Sequence, residues 1–132
     1  MKRSRTFEHS PQSVAAARRF ATETLRGMPK DVVEAAELMV SELATNCVRH
    51  TDSGFLLTIE NAGGEIRIEA TDAGRGEPTM RSPKVTDPTG RGLQIIDMLA
   101  TTWGVLQRTG SGKTVWFTIA ATGPTKAVTA QR

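Results

Sequence analysis

Three groups of residues in this chain have types and spacings suited to chemistry, and they come in one order. Glu42-Leu43-Ala44-Thr45-Asn46 sets a carboxylate and an amide four residues apart. Asp72-Ala73-Gly74-Arg75-Gly76 puts a lone acid ahead of two glycines. Gly90-Arg91-Gly92-Leu93 puts two glycines ahead of an apolar run. On a helix, an acid and an amide at i and i+4 point the same way. The carboxylate can act as a general base. The amide oxygen is a hard, neutral ligand suited to Mg²⁺, which prefers oxygen and keeps several of its waters. An Asp at a strand end can accept a hydrogen bond from an amino group such as that of adenine. Glycines let the backbone turn sharply and come close to a ligand. Backbone N–H groups at a helix start, helped by the dipole, make an anion site to which Arg91 would add charge. Taken together, the three describe a Mg-nucleotide site. Taken singly, each is weak: a solvated helix face, an Asp-Gly turn and a glycine-rich helix start are all ordinary.

These residues need elements to hold them. Thr6-Phe7-Glu8 reads as a short edge strand ended by Ser10-Pro11. A helix capped by Ser10 or Ser13 runs to about Leu25, with Val14, Ala17, Phe20, Ala21 and Leu25 at helical spacing. Gly27 and Pro29 break the chain, and a longer helix follows from Pro29 or Lys30 to about His50. On that helix Val33, Ala36, Val40, Leu43, Ala44 and Cys47 share a broad apolar face. Glu42, Asn46 and Arg49 share a stripe at its edge. Phe55 to Glu60 reads as a strand, Asn61-Ala62-Gly63-Gly64 as a turn, and Glu65 to Ala70 as a strand with one wet face. Asp72 then closes that strand. Gly74 to Thr89 reads as a loop, Leu93 to Ala100 as a helix, and Trp103–Leu106 and Thr114–Ile119 as strands about a Gly-Ser-Gly turn. Helices on one face of a mixed, mostly antiparallel sheet are the natural layering, an α+β two-layer sandwich. The expected organisation is one domain over residues 1–120 and a disordered tail over 121–132.

Composition narrows the class. The chain has 132 residues and one cysteine, so it has the length of a single domain and no intrachain disulfide. No apolar run approaches the ~20 residues of a membrane span. The basic start, Met1-Lys2-Arg3-Ser4-Arg5, is not followed by the apolar segment of a signal peptide, so the expected location is cytoplasmic. The net charge of +3 is scattered and there is no Tyr, which argues against a direct nucleic-acid partner. Gly110-Ser111-Gly112-Lys113-Thr114 imitates part of a P-loop, but Gln107 stands where that motif requires Gly, and a strand-like run follows Thr114. Cys47 and His50 read as a small core residue and a helix-end cation, with no second His or Cys at ligand spacing.

The ordered set resembles the GHKL superfamily of ATP-binding domains, which includes gyrase-type ATPases and histidine kinases. Glu42 with Asn46 matches its N box, Asp72-Ala73-Gly74-Arg75-Gly76 its first glycine box, and Gly90-Arg91-Gly92-Leu93 its second. Gly112-Lys113-Thr114-Val115 resembles its last box. The likeness runs from about Phe7 to Ile119 and implies the GHKL ATP-binding fold. Within the superfamily, a compact domain with an N-terminal strand and helix is similar to the anti-sigma factor serine/threonine kinases of bacteria. The region Glu77–Thr89 resembles their short ATP lid. The resemblance implies ATP and Mg²⁺ as cofactors, with a sigma factor and a STAS-type anti-anti-sigma protein as partners, the latter phosphorylated on serine. A homodimer is compatible with it. It implies Glu42 as the base, Asn46 as the Mg²⁺ ligand, and Asp72 as the reader of the adenine amino group. Gly74, Gly76, Gly90, Arg91, Gly92 and Leu93 would lie around the nucleotide, Arg49 near the phosphates and Thr114 near the adenine. The alternative is a module that binds ATP and a partner protein without transferring phosphate.

Overall fold

A computed structural model describes residues 1–50, 53–72, 96–107 and 112–123, except for the His50 side chain. Its elements in chain order are β1 (Lys2–Phe7), α1 (Gln12–Thr24), α2 (Lys30–His50), β2 (Phe55–Ala62), β3 (Glu65–Asp72), β4 (Thr102–Gln107) and β5 (Lys113–Ala120). Residues 96–99 are also helical, within the helix expected over Leu93–Ala100. The five strands form one sheet in the order β1-β2-β3-β5-β4. All four pairings are antiparallel. No described helix is long and apolar enough to cross a membrane.

The sheet takes its sidedness from side chains that alternate along each strand. Phe55, Leu57 and Ile59 of β2, Ile66, Ile68 and Ala70 of β3, and Val115, Phe117 and Ile119 of β5 are buried and share the face that α1 and α2 cover. Phe7, at the end of β1, lies parallel to Phe55 at 5.2 Å and edge-on to Phe20 of α1 at 6.0 Å, joining strand, sheet and helix. The outer face is mostly polar, with Leu56, Leu106 and Trp116 among its apolar members. Hydroxyl pairs cross neighbouring strands at Ser4–Thr58 (3.0 Å), Thr71–Thr114 (2.8 Å) and Thr102–Thr118 (2.7 Å). Arg67 binds Glu69 at 2.7 Å and lies over the Trp116 ring at 4.3 Å. The β2–β3 hairpin turns at Gly63-Gly64, with φ of 64° and 80°, as a two-residue turn with both central residues left-handed.

Several expectations shift by a few residues. β1 begins at Lys2 instead of Thr6: its charged residues look like a tail, yet they pair with β2, Lys2 facing Glu60. Charge on an edge strand is compatible with pairing on one side and deters it on the other. Ser13 does not cap α1; Pro11 holds the cap position, and the Ser13 hydroxyl donates to the Glu8 carbonyl at 2.7 Å. The buried face of α2 includes Val32 and Met39, while Val33 is only partly buried, so the apolar stripe is rotated slightly from the one expected. The loop 74–89, the Gly110-Ser111 part of the turn and the tail from 124 lie outside the described residues.

Candidate functional site

The inward face of the sheet becomes polar at one end. Two positions beyond Ala70 on β3 is Asp72, and two before Val115 on β5 is Lys113, so both point toward the helices. They face each other in register, and Lys113 Nζ donates to Asp72 Oδ2 at 3.1 Å. Their side chains are only 9% and 4% exposed, which makes this a buried ion pair. Gly112 lets the two strand ends meet. Its φ is +81°, and a Cβ there would lie 2.0 Å from the Asp72 carbonyl oxygen and 2.8 Å from Oδ1. A side chain at 112 would have to displace backbone.

The last turns of α2 lie over this end. Cys47 is buried and its thiol is pushed up to about 12, first by desolvation and then by the charge of Asp72, with Lys113 pulling the other way. Cys47 therefore lies within electrostatic reach of the ion pair, and burial keeps it a neutral thiol. Beside Cys47 on the helix is Asn46, whose amide Nδ2 is buried without a hydrogen-bond partner among the described residues. An amide end left unmatched in this way is costly, which makes Asn46 a candidate to meet a ligand group. A half-turn about the last side-chain bond presents the amide oxygen there instead, the donor that a hard cation takes. One turn earlier, Glu42 is half-buried. Arg49 is exposed at the helix end. In type these residues suit a Mg-nucleotide: a carboxylate and an amide oxygen on α2, and an acceptor–donor pair at the end of the sheet where glycine keeps the backbone bare. Among the described residues no three His, Cys, Asp or Glu form a metal cluster.

Thr114 sits on the opposite face of the sheet from Asp72, its hydroxyl 2.8 Å from that of Thr71. The residue beside Asp72 is Lys113, which belongs to the Gly112-Lys113-Thr114-Val115 segment but is not among the expected site residues. The signal was available: counting back from Phe117 and Val115 in steps of two reaches Lys113 and passes over Thr114. Gly74, Gly76, Gly90, Arg91, Gly92 and Leu93 lie outside the described residues. The strand that follows Lys113 removes the P-loop reading.

An antiparallel five-stranded sheet backed by helices, with an acid–amide helix crossing its polar end, is the architecture of an ATPase domain of the GHKL class. The family profile described as Histidine kinase-like ATPase domain matches residues 7–119, and the chain belongs to that family. A crystal structure containing the RsbU and RsbW domains of Rv1364c from Mycobacterium tuberculosis matches its fold with a TM-score of 0.69, at 21% identity over 89% of this chain. The chain spans 32% of that longer chain. No curated protein matches it.

Proposed function

We propose that this domain binds Mg-ATP and acts as a cytoplasmic anti-sigma factor with serine/threonine kinase activity. It would sequester a sigma factor and phosphorylate a serine of a STAS-type anti-anti-sigma partner. The observation that carries the reading is the orphaned Asn46 amide, one helical turn from Glu42 and beside the Asp72 end of the sheet, in a chain of the histidine kinase-like ATPase family.

In this reading Asp72 takes the amino group of the base and Asn46 supplies an oxygen to Mg²⁺. Mg²⁺ held by Asn46 would supply charge neutralisation to the phosphates. Glu42 accepts the proton of the incoming serine hydroxyl. The serine oxygen then bonds to the γ-phosphorus as the bond from that phosphorus to the bridging oxygen breaks, and ADP leaves. The protein contributes position and charge more than covalent chemistry. Arg49, at the exposed end of the same helix, adds charge near the phosphates in this reading.

Calorimetric titration with ATP, with and without Mg²⁺, tests the first step, and transfer of labelled phosphate to a STAS-type protein tests the second. Saturable Mg²⁺-dependent binding with serine labelling is the expected result. Binding without labelling of any such protein leaves a non-catalytic ATP-binding module. No binding at millimolar nucleotide overturns the proposal.

A further inference from the structure

Lys113 is buried to 7% exposure, and its ammonium has a single partner among the described residues, Asp72 Oδ2 at 3.1 Å. An ammonium carries three N–H donors. Two of them find no acceptor among the described residues, in a setting where unsatisfied polar groups are costly. The carboxylate and ammonium stand side by side on one face at the end of the sheet, an acceptor next to a donor. Gly112 keeps the neighbouring backbone bare.

We propose that Lys113 and Asp72 read a nucleobase edge together, with Lys113 setting specificity through the ring nitrogen. The inference rests on the ATP-binding reading above. Adenine presents an amino donor beside the N1 acceptor, so Asp72 accepts from the amino group while Lys113 donates to N1. Guanine presents a carbonyl oxygen beside a ring N–H. Its oxygen would meet the carboxylate and its N–H would meet the ammonium, so both contacts are mismatched. Lys113 keeps one donor on Asp72 throughout, which holds the ammonium in place for the base. Thr114, on the other face, takes no part.

The test is equilibrium binding of ATP, GTP and 1-deaza-ATP, in which a C–H replaces N1, to the unmodified protein and to Lys113→Met. The unmodified protein is expected to bind 1-deaza-ATP about tenfold or more weakly than ATP, the scale of a hydrogen bond to a charged group. GTP should bind more weakly still. Lys113→Met should bind ATP and 1-deaza-ATP alike. Equal binding of ATP and 1-deaza-ATP by the unmodified protein overturns the Lys113 inference while leaving ATP binding intact, and this comparison needs no variant to fold. Persistent discrimination in Lys113→Met overturns it as well. Failure of all three nucleotides to bind removes the ATP-binding reading itself and the inference with it.

Discussion

Removing one member of the Lys113–Asp72 pair should destabilise the fold far more than removing both. At 3.1 Å the two charges attract by about 5 kcal/mol at an effective dielectric constant near 20. With side chains 9% and 4% exposed, each has given up most of its hydration to reach that geometry. Lys113→Met leaves a carboxylate buried without its counter-charge, and Asp72→Leu leaves an ammonium so; each should cost about 3–5 kcal/mol. For a domain of this size that lowers Tm by roughly 10 °C or more. The double variant buries no charge and should recover most of the loss, since replacing a buried pair by apolar groups is often close to neutral. Denaturant unfolding of the four proteins, followed by circular dichroism, gives the coupling energy directly. Lys30–Glu34 supplies the contrast: at 3.9 Å with side chains 89% and 62% exposed, its loss should cost below about 0.5 kcal/mol. If the Asp72 and Lys113 losses simply add, or if Lys113→Met costs no more than Lys30→Met, the argument from burial is refuted.

Gly112→Ala should destabilise by about 3 kcal/mol, because a left-handed φ combines with a Cβ driven into the Asp72 carbonyl, whereas Gly63→Ala, at φ +64° with open space around it, should cost about 1 kcal/mol; equal losses in thermal unfolding would remove the steric argument. Stability should fall as pH rises from about 9 toward 12: the unfolded chain releases the Cys47 proton near 9.0 while the folded chain holds it to about 12, so the folded state is the one that binds more protons across that window. In Cys47→Ala the decline over that range should be shallower, and native Cys47 should resist alkylation at pH 8 until the chain is unfolded. Glu42→Gln should keep ATP affinity nearly unchanged and abolish phosphate transfer to serine; surviving transfer would show that Glu42 is not the base.

Much of this frame can be read from alternation and helical spacing. Ile66, Ile68 and Ala70 announce one buried face of β3, and the α2 stripe of Ala36, Val40, Leu43, Ala44 and Cys47 announces the surface that covers it. β1 is harder to see because its Lys and Arg residues are those of an edge strand: the guanidinium of Arg3 lies over Phe20 at 5.0 Å and that of Arg5 over Phe7 at 5.4 Å, so their charged heads cover aromatic rings. Alternation gives the face of Lys113 but not what it meets. Its partner depends on the register between strands separated by about forty residues of sequence, and register is a property of two segments at once. The same holds for the orphaned Asn46 amide: the sequence supplies the residue type, but only packing decides which end of its amide is left unmatched.

The direct pairing of β3 with β5 has a consequence for how the chain can vary. Asp72 and Lys113 are register partners, so the sheet is closed by strand contact at the two ends of everything that lies between them. The entropy lost in closing a loop grows only with the logarithm of its length, about 0.6 kcal/mol for each doubling. In loop-closure entropy alone, the β3–β5 pairing is therefore nearly indifferent to how many residues separate Asp72 from Ile96, so a change of length there is opposed little by the closing of the sheet.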